Sequence, residues 1–321
     1  MAFTPDTSIA IILVNWNGFD FTKACLDSLR KVDFPDFKLI LIDNASQNQE
    51  GLQLKRAYPE IELIENSENL GFSGGNNVGI RFALHQGFSH LMLLNNDTIV
   101  EPDFLGEMMR KFIQNPGLGV VQPLILFQHD PKTIWSAGGK WMPSLCRAIT
   151  LGDREPLADF RCKKENLDWA TGCCMLISRE AILATGLLNE QYFAYFEDVE
   201  WSLRFRKAGF GIALAEKAVI YHEAGASSRK NHSEGTLSPK VFYFHVRNQL
   251  LLIRGIQNSS QGGGKSLQKG HTLGGLVYHL CRFTLWLGYF LVRGRFQKMK
   301  AVAKGIRDGL TLPIQPAPIW P

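Results

Sequence analysis

The first hundred residues repeat one pattern: a short apolar run, a cluster of asparagine or aspartate, and a stretch with apolar residues at helical spacing. The apolar runs cover residues 8–16, 37–42, 61–64 and 90–94. Strands that alternate with helices at this rhythm predict βαβ units and a parallel sheet with helices on both faces. We therefore expect an α/β fold with a mostly parallel central sheet.

Polar residues follow each of these predicted strands. Asn15 and Asn17 follow the first, Asp43 the second, Asn69 the third and Asp97 the fourth. Right-handed crossovers place the carboxyl ends of successive parallel strands at one edge of the sheet. Open α/β sheets bind ligands at that edge, so we expect these residues to gather at a ligand site. The first turn, NWNGFD, lacks the glycine triplet of a dinucleotide-binding dehydrogenase.

The segment LLNNDT changes abruptly from hydrocarbon side chains to oxygen ligands. A carboxylate at Asp97, flanked by the amides of Asn95 and Asn96, can hold a hard divalent cation that bridges to a diphosphate. The alternative is a polar turn in which Thr98 or Asp103 caps the next helix. Both interpretations stay open on these residues alone.

The segment NLGFSGGNN contains three glycines within five residues. Glycine permits positive φ and a close approach of the backbone to a ligand. The amides that open a helix beginning near Gly74 would favour an anion. The alternative is a flexible loop in which Asn76 and Asn77 serve only as helix caps.

A second polar cluster, YFAYFEDVEW, places Glu197, Asp198 and Glu200 behind a run of aromatic residues. An acid at the start of a helix, with rings that limit water around it, is typical of a general base. The alternative is that Asp198 only caps a helix over residues 199–207.

Further strands are predicted at residues 119–127, 169–177 and 211–220, with long loops or a short hairpin between 132 and 168. His222 comes directly after the last strand, on the ligand rim, which makes it a candidate metal ligand. A lone histidine more often has a structural role, and that alternative stays open.

The C-terminal segment is basic. From Asn248 onward there are ten Lys or Arg and one acid, whereas the whole chain has a net charge of +5, so the preceding residues are net acidic. Residues 274–294 are apolar but are interrupted by His279 and Arg282, which is typical of a helix in a membrane interface rather than a span. The basic residues after it would meet anionic lipid.

The side chains of this predicted helix form two stripes along its length. One carries Leu276, Leu280, Phe283, Leu287 and Leu291, and the other carries His279, Arg282, Trp286, Tyr289 and Arg293. The alternative to a membrane surface is packing on the rest of the chain or on a second subunit in a homo-oligomer. The segment SSQGGG before the helix indicates a linker, and the proline-rich residues 313–321 are expected to be poorly ordered.

Cysteine usage and the N-terminus bear on compartment. The six cysteines include no Cys-x-x-Cys pair, which argues against a zinc ribbon. Cys173 and Cys174 are expected to be buried, inert thiols. MAFTPDTS is unlike a secretory signal, so we expect a reducing, cytoplasmic compartment. We recognise no nucleic-acid-binding motif and expect no nucleic acid as a partner.

Together these segments resemble glycosyltransferase family 2, whose members have the GT-A fold, and most closely its bacterial rhamnosyltransferase-like members. The resemblance covers residues 9–248. It implies a GT-A domain at 1–248, with a nucleotide half at 1–98 and an acceptor half at 99–248. Residues 249–321 would then be a membrane-associating extension.

Several motifs carry the nucleotide half of the resemblance. ILVNWNG is similar to the family's first strand, IDNAS holds an Asp at the position that binds the nucleobase, and NLGFSGGNN is similar to the Asn-x-Gly-rich loop beside the nucleotide. The residues implied to bind the nucleotide are Val14, Asn15, Asn17, Asp43, Asn69, Gly71, Gly74, Asn76, Asn95 and Asn96.

The remaining motifs imply the catalytic groups. LLNNDT resembles the family's D-x-D motif, with Asp97 at the metal-binding position and Asn95 in place of the first Asp. FEDVEW resembles the family's ED motif, which implies Asp198 as the base, with Glu197 beside it. YHEAG implies His222 as a second metal ligand, and TGCCMLISR resembles the segment that lines the acceptor site.

The implied activity is a single inverting displacement. Asp198 would take the proton from an acceptor hydroxyl as that oxygen attacks the anomeric carbon, while Mg²⁺ or Mn²⁺ neutralises charge on the departing nucleoside diphosphate. The implied donor is dTDP-L-rhamnose, with UDP-galactofuranose and other UDP-sugars open. The implied acceptor is a glycan or a polyprenyl-diphosphate-linked saccharide, used in cell-surface polysaccharide synthesis at the inner face of the cell membrane.

Two other classes of protein stay open. A sugar nucleotidyltransferase shares the sheet and metal site, but it has a glycine- and arginine-rich loop after the first strand, unlike NWNGFD. A non-catalytic sugar-nucleotide-binding or scaffold protein would keep the fold without the chemistry. The retained Asp97 and Asp198 argue against that class.

Overall fold

The computed structural model describes residues 8–161, 166–223, 234–259 and 267–320. In the first hundred residues it confirms the predicted alternation of strands and helices. The elements there are β1 (Ile9–Asn15), α1 (Phe19–Leu29), β2 (Phe37–Asp43), α2 (Glu50–Ala57), β3 (Glu62–Glu65), α3 (Gly71–His85) and β4 (His90–Asn95).

The next part of the chain mixes short strands with helices. Its elements are β5 (Thr98–Val100), α4 (Phe104–Gln114), β6 (Leu118–Phe127), β7 (Ile134–Ser136), β8 (Gly139–Met142), β9 (Arg147–Thr150), β10 (Cys174–Ser178), α5 (Arg179–Thr185), α6 (Glu197–Lys207) and β11 (Gly211–His222). The expected hairpin is present as β8 and β9.

The strand predicted from residue 169 begins only at Cys174. The backbone amides of Thr171 and Gly172 bond to side chains instead of a neighbouring strand. Thr171 N donates to Gln122 Oε1 at 2.8 Å, and Gly172 N donates to Asp198 Oδ2 at 3.0 Å. This short segment therefore departs from the sheet at the edge where the polar residues gather.

Most of these strands join one mixed sheet in the order β3-β2-β1-β4-β10-β6-β11-β5, with β7 also paired to β6. β1 is parallel to β2 and β4, so that Asn15 lies opposite Asp43 and Val14 lies opposite Asn95. β10 is antiparallel to both of its neighbours. The polar strand ends therefore do share one rim, as the pattern predicted.

Both faces of the sheet are covered. Along β1, Ile11 and Leu13 pack into one hydrophobic core, and Ala10 and Ile12 pack into the core on the opposite face. This alternation of two buried faces explains why the strands read as continuous apolar runs. The expected α/β class with a mostly parallel sheet is confirmed.

Three long helices follow the sheet: α7 (Pro239–Ser259), α8 (Leu267–Val292) and α9 (Phe296–Thr311). They share a small core that includes Val246, Phe283 and Val302. A Cβ at Gly305 would lie 2.9 Å from the carbonyl of Tyr243, so glycine lets α9 approach α7 closely. The predicted boundary after residue 248 falls inside α7, and the predicted linker lies, apart from its first residue, outside the described part of the chain.

The packed alternative is correct for most of the first stripe of α8, although its last residue, Leu291, is exposed. Leu276, Leu280, Phe283 and Leu287 pack against α7 and α9. A different apolar face of the helix is exposed instead. Its exposed residues are Leu273, Val277, Leu285, Tyr289, Leu291 and Val292.

The stretch Thr272–Val292 of α8 is long and apolar enough to cross a membrane by length and composition. We did not expect this from a run interrupted by His279 and Arg282. His279 is fully buried and faces the β8–β9 hairpin, so the run is less polar on its outer side than the sequence alone implied.

The expectation that the proline-rich end is poorly ordered is wrong. Residues 313–320 turn back to the segment ahead of α6. Asn189 Nδ2 donates to the carbonyl of Gln315 at 2.9 Å, and Leu187 N donates to the carbonyl of Pro318 at 2.8 Å. Proline lacks an amide donor, but its carbonyl still accepts hydrogen bonds, and these hold the C-terminal tail in place.

Candidate active site

The side chain of Asn15 organises the first part of the rim. Its amide nitrogen lies 3.0 Å from Asp43 Oδ1, from Ser46 Oγ and from Glu50 Oε2, and its oxygen accepts from Thr22 Oγ1 at 2.7 Å. A fully buried amide with these partners fixes the ends of β1 and β2 relative to each other.

Sequence reasoning did not single out Ser46, Glu50 or Thr22. Glu50 Oε2 also accepts from Gly18 N at 3.0 Å, and Ser46 N donates to Asp43 Oδ2 at 3.1 Å. Only Ser46 carried a signal, because it lies inside the IDNAS motif. Glu50 reaches the rim from the first turn of α2.

Asn17 lies at the exposed end of this network. Its backbone has a positive φ of 52°, its N–H donates to Ser46 Oγ at 3.0 Å, and its Oδ1 accepts from Gln47 N at 2.8 Å. The neighbouring Trp16 is 49% exposed. Val14, Asn15, Asn17 and Asp43 therefore form one hydrogen-bonded wall, and their contact with a nucleotide stays a prediction.

Asn44, which we had not considered, joins this wall to the glycine-rich loop. Its Nδ2 donates to Asn69 Oδ1 and to the carbonyl of Gly71, both at 3.0 Å, while its Oδ1 accepts from Leu70 N at 3.1 Å. Asn69 Oδ1 in turn accepts from Gly71 N at 2.8 Å. The loop is therefore held rigidly beside Asp43.

The helix after this loop begins at Gly71, three residues earlier than predicted, and its first amides are not open to an anion. Phe72 N and Ser73 N donate to the carbonyl of Phe193 at 2.7 and 3.2 Å. Gly71 has φ of +72°, and a Cβ there would lie 2.6 Å from Phe193. Glycine is thus required at this position for packing against Phe193. The prediction of an anion site at these amides is wrong, because the carbonyl of Phe193 already accepts their hydrogen bonds.

Asn76 and Asn77 are not helix caps. Asn76 Nδ2 donates to the carbonyl of Phe72 at 2.9 Å, and Asn77 Nδ2 donates to the carbonyl of Leu188 at 2.8 Å. Both are buried inside α3. Together with Gly74, which packs on Leu70, they form the wall behind the rim, and direct nucleotide contact by Asn69, Gly71, Gly74 and Asn76 stays a prediction.

The end of β4 does not serve as a helix cap. Thr98 belongs to β5 and its hydroxyl donates to the carbonyl of Asn95, while Asp103 precedes α4 without a capping hydrogen bond from its side chain. Asn96 Nδ2 donates to Thr22 Oγ1 at 2.7 Å and ties this turn to α1. The capping interpretation of LLNNDT is therefore excluded.

Asp97 and His222 face each other across two antiparallel strands. The register of β5 and β11 places His222 opposite Thr98, and Asp97 Oδ1 lies 3.2 Å from His222 Nε2. The approach is close, yet Asp97 Oδ1 has no aligned hydrogen bond. Both side chains are mostly buried, and the ring of Trp135 packs on His222 at 4.4 Å.

This pair fits a divalent cation that is shared with a substrate. A carboxylate oxygen and an imidazole nitrogen are both ligands of Mn²⁺ and similar ions, and Asp97 Oδ1 is a buried acceptor without a donor. In the described ranges, no cluster of three or more Cys, His, Asp or Glu side chains forms a complete metal site. The remaining ligands would be water and a diphosphate.

The Gly172–Cys173 segment separates the metal-binding candidates from Asp198. Cys173 O accepts from Asn95 N at 2.8 Å, and Gly172 N donates to Asp198 Oδ2 at 3.0 Å. Burial chiefly, and the charges of Asp97 and Asp198 among its neighbours, raise the pKa of the Cys173 thiol well above its usual value. Two carboxylates therefore flank one peptide at the rim.

Asp198 lies in the first turn of α6, which begins at Glu197, so it is not the residue that caps the helix. Its Oδ1 accepts from Val199 N at 2.8 Å. Burial raises the pKa of Asp198, while the hydrogen bonds from Gly172 and Val199 oppose that rise by stabilising the ionised form. An ionised carboxylate with a raised pKa is a competent proton acceptor.

Glu197 differs from its neighbour. It is buried, its Oε2 has no hydrogen-bond partner, and burial together with the charge of Asp198 raises its pKa well above the usual value. Ionisation of both adjacent buried acids would cost a large electrostatic free energy. Asp198 has the hydrogen bonds that stabilise its ionised form. Glu197 is therefore the neutral member of the pair.

Glu200, the remaining acid of the cluster, has a structural role. Its carboxylate accepts from Arg204 Nε at 2.8 Å, and Arg204 also donates to the carbonyl of Leu187 at 2.7 Å. This pair fixes α6 to the segment that follows α5. Glu197 is buried and Glu200 is bound to Arg204, which leaves Asp198 as the partly exposed acid whose ionised form is favoured by backbone amides.

The aromatic loop ahead of α6 is held by α7. Asn248 Nδ2 lies 2.7 to 2.9 Å from three carbonyls, those of Tyr192, Ala194 and Tyr195. The neighbouring Arg247 donates to the carbonyl of Tyr192 at 2.8 Å. The C-terminal helices thus position the loop ahead of α6, a role that the sequence pattern did not indicate.

Comparisons with known proteins agree with this geometry. The family model described as glycosyltransferase like family 2 matches residues 5–236. The hexosyltransferase Agl10 of low-salt glycan biosynthesis from Haloferax volcanii is 25% identical over 253 residues, which cover 78% of this chain and 77% of that protein.

A second relative and one solved structure support the same assignment. The N-acetylglucosaminyl-diphospho-decaprenol L-rhamnosyltransferase of Mycobacterium tuberculosis is 25% identical over 75% of this chain and 84% of its own length. The mannosyltransferase PcManGT from Pyrobaculum calidifontis, solved with GDP-Man and Mn²⁺, aligns with a TM-score of 0.57 and 12% identity over 96% of this chain and 88% of that chain. The chain therefore belongs to glycosyltransferase family 2, close to its rhamnosyltransferase members, and it is a glycosyltransferase with the GT-A fold.

Proposed function

We propose that this enzyme transfers L-rhamnose from dTDP-L-rhamnose, with inversion, to a saccharide linked to a polyprenyl diphosphate. The observation that carries the proposal is that the Gly172–Cys173 segment contacts both Asp198, through Gly172 N, and Asn95, at the end of the strand that leads to the Asp97–His222 pair. An inverting transfer needs a base on one side of the sugar and a site for the leaving diphosphate on the other. The rhamnosyltransferase from M. tuberculosis supports the choice of donor and acceptor.

In this proposal Asp198 accepts the proton of the acceptor hydroxyl. Gly172 N and Val199 N hold its carboxylate in place, and the neutral Glu197 beside it adds no competing charge. Asp97 and His222 would hold Mg²⁺ or Mn²⁺, which supplies positive charge to the departing diphosphate. The wall formed by Asn15, Asp43, Asn69 and their neighbours would receive the nucleoside.

The exposed face of α8 supports an acceptor in a membrane. Leu285 is 73% exposed and Val292 is 86% exposed, and the lysines and arginines of α9 lie nearby in the chain. Apolar side chains beside a basic segment favour an anionic lipid surface. We infer peripheral binding at the inner face of the cell membrane, where a nucleotide-sugar donor and a lipid-linked acceptor can meet.

The decisive experiment combines nucleotide binding with turnover. Melting temperatures are measured with dTDP, UDP and GDP, each with and without Mn²⁺, because a ligand of the folded state stabilises it by about 2.7 kcal/mol at 100 times its Kd. Turnover is measured as dTDP release from dTDP-L-rhamnose with N-acetylglucosaminyl-diphospho-farnesol as acceptor.

We expect Mn²⁺-dependent stabilisation by dTDP that exceeds the response to UDP and GDP. The Asp198→Asn variant should keep this stabilisation and lose turnover. A larger response to UDP would replace the proposed donor with a UDP-sugar. Stabilisation without turnover on any donor would favour the non-catalytic binding protein instead.

A further inference from the structure

Helix α8 docks on the tip of the β8–β9 hairpin through His279. The Nε2 of this fully buried histidine lies 3.0 Å from the carbonyl oxygen of Leu145 and 3.3 Å from that of Cys146. Gln249 of α7 donates to the same Cys146 carbonyl at 3.0 Å. The contact fixes the next hairpin residue, Arg147, beside α8.

Arg282 follows His279 by one helical turn, so both side chains lie on the face of α8 that meets the hairpin. It is half-buried, and its Nε has no hydrogen-bond partner. Its guanidinium lies 5.1 Å from the ring of Phe283 and 5.3 Å from that of Trp286. Chiefly burial, and also the nearby charge of Arg147, lower the pKa of Arg282.

Neither Arg147 nor Arg282 forms an ion pair with an acid of the described residues. The contrast with the other partly buried arginines is clear. Arg204 pairs with Glu200, and Arg247 donates to two backbone carbonyls. Apart from the rings of Phe283 and Trp286, the half-buried Arg282 has no partner among the described residues, and such a charge is costly unless an anion from outside the chain neutralises it.

The rings of His245 and Tyr195 lie between Arg282 and the loop ahead of α6. Burial first, and then the charge of Arg282, lower the pKa of His245 to about 4, so the imidazole is neutral and close to the guanidinium. His245 stacks on Tyr195 with ring centroids 4.4 Å apart. Tyr195 precedes Asp198 by three residues, so His245 and Tyr195 connect Arg282 with the loop that leads to Asp198.

Arg282 also marks the border of the exposed apolar face of α8. Leu285 and Tyr289, one and two turns further along the helix, are 73% and 48% exposed. A positively charged group and an exposed apolar surface therefore adjoin each other at Arg282. A molecule with an anionic group attached to a hydrocarbon chain would satisfy both.

We propose that Arg147 and Arg282 bind the diphosphate of a prenyl-diphosphate-linked acceptor, and that its hydrocarbon chain leaves along the exposed face of α8. This inference rests on the proposed function, because it assigns the acceptor's headgroup to a site of its own. Guanidinium groups suit the task, since their forked donors match phosphate oxygens in pairs. The saccharide beyond the diphosphate would then point past Tyr195 towards Asp198.

The test measures binding of dansyl-labelled farnesyl diphosphate in EDTA, where nucleotide binding through a metal does not contribute. Wild type is compared with Arg147→Gln, Arg282→Gln and the double variant. Arg293→Gln is the matched control, because Arg293 is an exposed arginine at the far end of the same helix. Melting temperatures show whether each variant folds, and the exposed Arg147 keeps the test valid if Arg282→Gln does not fold.

We expect each single variant to bind the probe about tenfold more weakly or worse, as for the loss of a charge-assisted hydrogen bond, and Arg293→Gln to bind as wild type. Unlabelled farnesyl diphosphate should compete far better than inorganic pyrophosphate or farnesol. Equal binding by Arg147→Gln and wild type would overturn the proposal. Equal competition by phosphatidylglycerol vesicles would also overturn it, in favour of a phospholipid site.

A second measurement separates this inference from the proposed function. With N-acetylglucosaminyl-diphospho-farnesol, Arg147→Gln should raise the KM for the acceptor and leave the dTDP-induced rise in melting temperature unchanged. If wild type neither binds dTDP nor transfers sugar, the proposed function fails, whereas the probe-binding result in EDTA still decides the diphosphate site.

Discussion

The side-chain amide of Asn248 lies 2.8 Å from the backbone carbonyl of Tyr195 and so joins α7 to the loop that leads to Asp198. Three residues of that loop, Phe193, Tyr195 and Phe196, have positive φ angles between 63° and 71°. Such conformations cost about 1–3 kcal/mol each in residues other than glycine. The loop therefore keeps its shape only while its carbonyls have these partners.

We predict that Asn248→Ala lowers stability by about 2–3 kcal/mol and lowers kcat, because it leaves buried carbonyls without donors and frees the strained loop. Gln249→Ala is the matched control, since the adjacent buried amide donates to Cys146 and has no bond to this loop. Chemical denaturation and steady-state kinetics measure both effects. An unchanged kcat in a folded Asn248→Ala protein would contradict the positioning role.

The two acids at the start of α6 should respond differently to neutral isosteres. Asp198→Asn is expected to lower kcat by about 10²–10⁴-fold, as for the loss of a general base. Glu197→Gln should keep kcat within about threefold. Burial raises the pKa of Glu197, so this residue is already protonated and the substitution removes no charge. Turnover of dTDP-L-rhamnose by both variants decides the assignment, and the reverse order of losses would make Glu197 the base.

The pH profile should report the ionisation of Asp198. Burial raises its pKa, so activity is complete above that pKa and falls as the pH decreases through it. The acidic limb of kcat/KM should therefore lie above the ordinary aspartate value of about 3.9. Rates measured between pH 4 and pH 8 test this, and a flat profile down to pH 4 would contradict it.

Metal dependence should require His222. We predict that His222→Ala needs about tenfold more Mn²⁺ or still higher concentrations for half-maximal activity, because one of two protein ligands is lost. His85→Ala is a suitable control, since His85 is an exposed residue in the last turn of α3, at the end of that helix opposite the rim. Titration of Mn²⁺ into EDTA-treated protein measures the change. Equal Mn²⁺ requirements in the two variants would remove His222 from the metal site.

Membrane binding should depend on the exposed face of α8. Leu285→Asp is expected to reduce co-sedimentation with anionic vesicles at least about tenfold, because a buried apolar contact with lipid is replaced by a like charge. Leu183→Asp, at an exposed leucine of α5, is the control. If both variants sediment like wild type, this face does not meet the membrane.

Local patterns predicted the first hundred residues well, because β1, β2 and β4 are largely buried apolar runs that end in polar turns. The rim formed by Asn15, Asp43 and Asn69 followed from crossover handedness alone. What local patterns could not predict were the partners that arrive from distant parts of the chain. The carbonyl of Phe193 accepts hydrogen bonds from amides at the start of α3, where the glycine-rich sequence had predicted an anion site.

The same limit applies to the helices at the end of the chain. Periodicity found two stripes on α8, but it could not tell which stripe faces protein. Phe283 of the first stripe meets α7 and α9, whereas Tyr289 of the second is 48% exposed. The role of Asn248 was hidden for a similar reason, because nothing in KVFYFHVRN shows that its amide reaches the carbonyls of a loop more than fifty residues earlier.

The return of the C-terminal tail has a consequence for biosynthesis. Gln315 and Pro318 complete the hydrogen bonds of Asn189 and Leu187, which lie 126 and 131 positions earlier in the chain. During translation the nucleotide half can fold as soon as its strands emerge, but the segment that leads to Asp198 obtains its last partners only when residues 313–320 have left the ribosome. A nascent chain would thus bind donor before it could position the base, which delays sugar transfer until synthesis of the tail.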